Sequence, residues 1–279
     1  MKSFVKLIAV TCAAIGVAIG AAFGMVASGT ANAQEAKKIR IGVEGAYPPF
    51  SQIDTDGKLK GFDIDIANAI CAELRAECVM VQQEFDAMIP GLLSRKIDAV
   101  IASMTITEER KRSVDFSDKY YQTPARFVAK AGSKLDVSAA GLKGKRIGVQ
   151  RTTIHDRFAT STFTQSEIVR YNKQDEVFLD MTSGRLDGAL VDLMAADIGF
   201  LKTPAGKGFA FLGPIYSDPK FFGIGAGIAV RKADTALRDR LNTAIKSIRA
   251  NGTYKKIQDK YFDFDVYGDV VPAISASQK

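Results

Sequence analysis

Hydrophobic positions along this chain follow two rhythms, short β-rich clusters and longer stretches with helical spacing, and the two alternate. Ile39-Arg40-Ile41-Gly42-Val43 reads as a strand, and the DTDG at 54–57 as a turn with hairpin chemistry. From Asp63 onward, Ile66, Ile70 and Leu74 recur at helical spacing, with Asp63 and Asp65 favourably placed near the positive end of that helix. A strand at 78–81 follows, then a helix over 85–95 with Pro90 early in it, a buried strand over 97–103, and a charged helix, EERKRSV, capped by Thr107. After YYQTP at 120–124 the pattern restarts: a strand at 126–130, a GLKGK turn, a strand at 146–149 and a helix from about Thr153. A strand over 186–191 ends at Asp192, which caps a helix over 193–201. A strand-like run at 221–230 carries Gly223, Gly225 and Gly227. Leu237, Leu241, Ile245 and Ile248 then share one helix face, Gly252 stops that helix, and 253–261 forms a last one. Strands alternating with helices argue for parallel sheets and an α/β class, and two such runs suggest two similar lobes.

The first 33 residues follow a different logic. Lys2 and Lys6 precede an apolar run, LIAVTCAAIGVAIGAAFGMVA, that closes on Ala31-Asn32-Ala33. A basic start, an apolar middle and a small-x-small cleavage pattern describe a secretory signal peptide. Cys12 is a poor lipid-attachment site, because Ala9-Val10-Thr11 lacks a large aliphatic residue. Cleavage after Ala33 leaves roughly 245 residues, more than a usual single domain. The product folds outside the cytoplasm, away from ATP, NAD and genomic DNA.

Composition adds exclusions. Hydrophobic residues make up 47% and charged residues 25%, the balance of an ordinary globular protein. Of the formal charge of +7, Lys2 and Lys6 carry two units, and the other charges are spread along the chain. KKIR and ERKR are the densest basic runs, so there is no concentrated stripe of the kind nucleic acid requires. Beyond the leader only Cys71 and Cys78 remain; so close a pair in an oxidising compartment reads as one disulfide, tying a helix end to the start of the next strand. A redox or metal pair is the alternative, but C-x6-C is not C-x2-C, and His155 is the only histidine.

Open α/β sheets bind ligands beyond the carboxyl ends of their strands. Polar and aromatic residues just after the strands are Glu44 and Tyr47; Phe85; Ser103, Thr105 and Arg110; Thr152, Thr153 and His155; and Asp192. The sequence offers no catalytic cysteine, no G-x-S-x-G elbow and no metal cluster; GLKGKR lacks the Ser or Thr of a phosphate-binding loop, and the glycines at 223–227 lack dinucleotide spacing. Neither catalytic residues nor a cofactor nor a metal is therefore expected. Two acids, one arginine, hydroxyls at helix starts and aromatic faces suit a zwitterion carrying an extra positive charge. Arginine takes the carboxylate bidentately, one acid the ammonium, and the second acid with the rings a cationic side chain.

These residues lie in recognisable motifs. Gly61-Phe62-Asp63-Ile64-Asp65-Ile66, followed by Ile70-Cys71 and Leu74, resembles the signature of periplasmic polar-amino-acid-binding proteins. EGAYPPF (44–50), FDAMIP (85–90), SMTITEER (103–110), LKGKRIGV (142–149), SGRLDGALVD (183–192) and NGTYKKIQDKYFDFDVYGD (251–269) agree, in order, over essentially the whole chain after the leader. The branch that binds lysine, arginine, ornithine or histidine is most similar, and shares the cysteine spacing. The resemblance implies the two-lobed periplasmic binding protein fold, two Rossmann-like lobes joined by two hinge strands: lobe I from 34–123 plus 226–279, lobe II from 124–225. It implies a monomer that closes over one cationic amino acid, or an opine derivative, and delivers it to an inner-membrane ABC permease. In that frame Arg110 clamps the ligand carboxylate, assisted by Ser103, Thr105 and Thr153. Asp192 takes the α-ammonium, Tyr47 and Phe85 sandwich the side chain, and Glu44 meets its distal cation. Ala102 stands where the branch usually has Ser, Thr152 replaces a glycine, His155 replaces a glutamine that touches the ligand, and Leu193 stands where Glu is frequent. With an ordinary imidazole pKa, His155 would titrate between about pH 5 and 8 while Glu44 and Asp192 stayed ionised. The alternative on the same scaffold is an enzyme, a periplasmic cyclohexadienyl dehydratase.

Overall fold

A computed structural model describes residues 38–268. The strands, in chain order, are β1 Ile39–Val43, β2 Ala46–Tyr47, β3 Ser51–Ile53, β4 Leu59–Lys60, β5 Cys78–Gln82, β6 Ala99–Val100, β7 Val114–Tyr121, β8 Ala125–Lys130, β9 Arg146–Gln150, β10 Glu167–Tyr171, β11 Gly188–Asp192, β12 Phe209–Tyr216 and β13 Ala226–Arg231. The α-helices are α1 Phe62–Leu74, α2 Met88–Leu93, α3 Glu108–Lys111, α4 Ile154–Thr162, α5 Gln174–Thr182, α6 Leu193–Ala196, α7 Pro219–Phe222, α8 Thr235–Ala250 and α9 Thr253–Gln258. The proposed signal peptide lies outside the described residues.

Two five-stranded sheets organise the chain, in the orders β5-β1-β6-β13-β7 and β10-β9-β11-β8-β12, with β2-β3-β4 forming a small third. The α/β class holds, but the sheets are mixed. β1 runs parallel to β5 and β6, and β9 parallel to β10 and β11, while β13 is antiparallel to β6 and β7, and β8 to β11 and β12. Connectivity explains this. The chain leaves the first sheet along β7, crosses at 122–124, and enters the second along β8; it leaves along β12, crosses at 217–225, and returns along β13. A strand that departs and one that arrives at the same side of a sheet must run in opposite directions.

Helix α1 forms where the sequence spacing places it. Phe62, Ile66, Ala67 and Ile70 are fully buried, against Leu241, Ala244, Ile245 and Ile248 of α8. Gly61 makes its start possible: with φ at +128°, a Cβ there would lie 2.3 Å from the Phe50 carbonyl oxygen, a position closed to other residues. Cys71 and Cys78 are joined in a disulfide, Cα atoms 6.1 Å apart, from the last turns of α1 to the first residue of β5. In the second lobe Phe127, Ile147, Val149 and Leu190 are fully buried, and Phe178 stacks on Phe200 at 4.4 Å between centroids.

Several elements are shorter than their sequence patterns. Only Ala99–Val100 of 97–103 pairs as strand, and the EERKRSV helix stops at Lys111 because Val114 already belongs to β7. The helix after Asp192 is α-helical to Ala196 and continues over Asp197–Leu201 with the wider π spacing. The run at 221–230 is the end of α7, a corner through Gly223 and Gly225 at φ +62° and +110°, then β13.

Candidate functional site

Loops at the carboxyl ends of both sheets line one cavity. Nine of the ten residues singled out in the sequence line it: Glu44, Tyr47, Phe85, Ser103, Thr105 and Arg110 from the first lobe, Thr153, His155 and Asp192 from the second; Thr152 does not. Gln150, Tyr121 and Thr123 line it as well and were not anticipated.

Among the described residues, Arg110 is the only arginine or lysine in the wall. Its Nη1 donates to the Thr105 carbonyl (2.9 Å), its Nη2 to the Thr152 carbonyl in the other lobe (3.2 Å), and its Cζ lies 5.3 Å from the Phe85 ring centroid. Burial, and secondarily Arg157, pull its pKa down to about 10, so it stays charged. Thr152, the residue in the glycine position, has φ +60°, a left-handed conformation costly for a β-branched side chain. Its N–H donates to Asp156 Oδ2 (3.1 Å), which helps hold the turn that aims its carbonyl at Arg110.

Thr153 caps α4: its hydroxyl donates to the Gln150 carbonyl (2.7 Å) and accepts from the Asp156 N–H (3.2 Å). That hydroxyl proton is therefore committed, and what α4 offers a carboxylate is its free N-terminal N–H groups. Asp192 caps α6, its Oδ1 accepting from the Met194 and Ala195 N–H groups (2.9 Å each) and its Oδ2 from the Thr123 hydroxyl. Burial nonetheless pushes its pKa up to about 6, against those three hydrogen bonds.

Glu44, 5% exposed, accepts from Gln150 Nε2 across the two lobes (2.5 Å), and the same nitrogen donates to the Asn172 carbonyl (3.1 Å). Burial drives the Glu44 pKa up to about 8, against the opposing Gln150 bond. Both carboxylates thus depart from the expectation of ordinary acids ionised throughout the neutral range. His155 departs in the other direction: burial, then the charge of Arg110, lower its pKa to about 3. It is neutral across pH 5–8, and the expected titration there is corrected. Tyr47 stacks on Phe50 (5.7 Å) and Phe50 on Tyr121 (4.7 Å), so Tyr47 presents its ring to the cavity from a braced aromatic stack. No group of three or more potential metal ligands occurs among the described residues.

Burial holds both acids above the usual carboxylate range, and a cationic group arriving at either favours its ionised form. Residues 39–264 match the model of the bacterial extracellular solute-binding proteins, family 3. The L-arginine-binding protein of Pseudomonas aeruginosa is 57% identical over 234 residues, covering 83% of this chain and 90% of that protein. The histidine-binding periplasmic protein of Salmonella typhimurium is 44% identical over the same shares of both chains. Among solved structures, a Salmonella typhimurium periplasmic binding protein described for its high arginine specificity superposes with a TM-score of 0.76 at 36% identity, over 81% of this chain and all of that one. The chain belongs to the bacterial extracellular solute-binding proteins, family 3.

Proposed function

We propose that this protein captures a cationic amino acid, arginine before lysine, ornithine or histidine, and delivers it to an ABC permease of the inner membrane. The observation that carries this reading is the charge inventory of the cavity, one arginine facing two carboxylates that lack a cation. Arg110 and the N–H groups opening α4 take the ligand carboxylate; Asp192 takes the α-ammonium; Glu44, held by Gln150, takes the distal cation, with Tyr47 and Phe85 beside the aliphatic stem. The names of the relatives support arginine as the first ligand to test, and their character as binding proteins favours capture over the dehydratase alternative. Lobe I, 34–123 plus 226–279, and lobe II, 124–225, close about the crossings at 122–124 and 217–225. The leader at 1–33 and the periplasmic relatives support a periplasmic location for a monomeric carrier.

Thermal unfolding with each of the twenty amino acids and ornithine tests this. Arginine, lysine, ornithine or histidine should raise the midpoint most, by the equivalent of about 2.7 kcal/mol at a hundredfold excess over Kd. A larger shift with glutamate or leucine overturns the ligand class.

A further inference from the structure

Most contacts between the two lobes run through long side chains and can adjust. Gln150 reaches Glu44, Arg151 Nη2 reaches Asp86 Oδ2 (2.6 Å), and Arg157 pairs with Glu109. One contact has no such freedom. Gly199 lies in the π segment Asp197–Leu201 of lobe II, and Pro48 directly follows β2 of lobe I. A Cβ at Gly199 would meet the Pro48 carbonyl oxygen at 2.7 Å, Pro48 Cγ at 3.0 Å and the Pro48 carbonyl carbon at 3.4 Å, so its three nearest heavy atoms all belong to the other lobe. The backbone at Gly199 is not left-handed, so the close approach to Pro48, and not conformation, is what glycine serves here. Neither residue lines the cavity.

We propose that Gly199 is a positioning residue for lobe closure: it lets the π segment of lobe II seat on Pro48 of lobe I, and that seat sets how far the cleft closes. Both sides of the seat are fixed from behind. In lobe II, Phe200 is buried and stacks on Phe178 at 4.4 Å, and the Lys202 and Thr203 N–H groups donate to the Asp197 (2.9 Å) and Phe200 (2.8 Å) carbonyls. In lobe I the Phe50 N–H donates to the Tyr47 carbonyl (2.9 Å) and the Phe62 N–H to the Pro49 carbonyl (3.0 Å), so the chain on either side of Pro48 is held. Leu193, Met194 and Ala195, which lead into the π segment, are buried in one cluster with Tyr47, Phe50 and Tyr121, and Ile198 packs against it. A π turn is rare and is found mostly at functional positions. A Cβ 2.7 Å from a carbonyl oxygen is far inside van der Waals contact, and a close-packed interior relieves such overlap by moving whole elements. With each partner anchored in its own lobe, the motion that separates them is rotation about the crossings at 122–124 and 217–225. Gly199 touches no ligand, so a side chain there lowers the closure-competent fraction, and with it the apparent affinity, equally for every ligand.

This inference rests on capture by lobe closure, and its test tells the two apart. Calorimetry with arginine and with lysine, small-angle scattering with and without arginine, and thermal unfolding of the empty protein are run on the unaltered chain, Gly199→Ala and Gly199→Leu. Affinity for arginine and for lysine should fall by the same factor, roughly five- to fiftyfold in Gly199→Ala and more in Gly199→Leu. The radius of gyration of arginine-bound Gly199→Leu should lie nearer to that of the empty protein. The unfolding midpoint of empty Gly199→Ala should hold or rise, because the open form has no overlap and alanine is the better helix former. A merely structural role would lower stability together with affinity. Unchanged arginine affinity in Gly199→Leu, full contraction of that variant on binding, or a loss of empty-state stability that matches the loss of affinity overturns the role of Gly199. Binding without contraction in the unaltered protein overturns the closure reading itself, and this role with it. If the unaltered protein prefers a neutral amino acid, only the ligand class has failed, and the same variants measured with that amino acid decide the role of Gly199.

Discussion

Asp98 and Glu44 flank neighbouring strands of the same sheet, Asp98 before β6 and Glu44 after β1, and have opposite electrostatics. Asp98, just before β6, accepts from Arg40 Nε and Nη2 (2.9 Å each), the Arg40 N–H (3.1 Å) and Arg231 Nη2 (3.1 Å). Those bonds, the Arg40 side chain foremost, hold its pKa down at about 2. Glu44, just after β1, has one amide for a partner, and burial raises it to about 8. The first carboxylate is saturated within the fold and ties β1, β6 and β13 together. The second lies at the opposite, carboxyl end of β1, where the proposed ligand brings its distal cation. A buried carboxyl without a counter-ion is held in its neutral form, and a cation beside it favours the ionised one.

The strongest way to break this contrast is to remove the fixed cation of the cleft. Arg110→Ala should keep the fold and lower affinity by about 2–5 kcal/mol, because a buried ligand carboxylate loses its bidentate partner. Near-normal affinity by calorimetry would place the carboxylate elsewhere. The saturated cluster should answer differently. Asp98→Asn should leave binding unchanged and cost about 1–3 kcal/mol of stability, since Arg40 loses its paired carboxylate while Arg231 keeps only Asp234. The wild-type contribution has a fixed sign: a depressed pKa stabilises above the unfolded value near 4 and is lost as pH falls toward 2. Acid unfolding monitored by circular dichroism should therefore begin at higher pH in a variant lacking that carboxylate only if other acids dominate; otherwise its stability should fall less steeply between about pH 4 and 2 than that of the parent.

How far the sequence discloses these two regions differs too. Helices α1 and α8 bury one face and show it as periodicity, while β1 and β9 are buried almost throughout and show as short apolar runs. β10 and β12 lie at the edges of their sheet, are largely half-buried, and do not alternate. α5 buries only Gln174, Val177, Phe178 and Met181, too few and too polar a set to mark a helix. The cavity residues were legible because they directly follow strands or open helices, which is where such sheets bind ligands. Gln150 was not, since it reads as the last residue of β9 and acquires its role only by reaching Glu44, 106 positions away. Asp63 reads as a helix-start charge, and nothing local indicates that it accepts from the Tyr120 hydroxyl, 57 positions on. The neutral state of His155 is likewise a product of burial among residues distant in sequence, Phe222 and Arg110 among them.

The pH dependence of binding sharpens the contrast further. In the empty cavity Glu44 is protonated below about pH 8, and a bound cation favours its carboxylate, so binding near pH 7 should release a proton. Affinity for arginine should therefore decline as pH drops from about 8 to 6, by at most tenfold per unit. Calorimetry in buffers of different ionisation enthalpy measures the released proton directly. Glu44→Gln should make the profile shallower, leaving the part that Asp63 and Asp192 contribute, whereas His155→Gln should leave its shape unchanged, because the imidazole is neutral throughout. A profile flattened by the histidine variant alone would reverse this assignment.

The smallest expected effect concerns backbone strain beside Arg110. Thr152 holds φ +60° while its carbonyl accepts from Arg110, so the clamp uses a conformation that threonine resists and glycine adopts freely. Thr152→Gly relieves roughly 1–2 kcal/mol of strain but adds freedom to the unfolded chain worth about 0.5–1 kcal/mol. The net gain should be under about 1 kcal/mol, a rise of a few degrees at most in the unfolding midpoint for a chain of this size. The carbonyl stays where it is, since Asp156 still accepts the backbone N–H at residue 152, and arginine affinity should change less than about threefold. A loss of stability would mean that the threonine side chain contributes packing that outweighs its strain. A large loss of affinity with stability intact would mean that the strained residue, and not only its carbonyl, sets the geometry of Arg110.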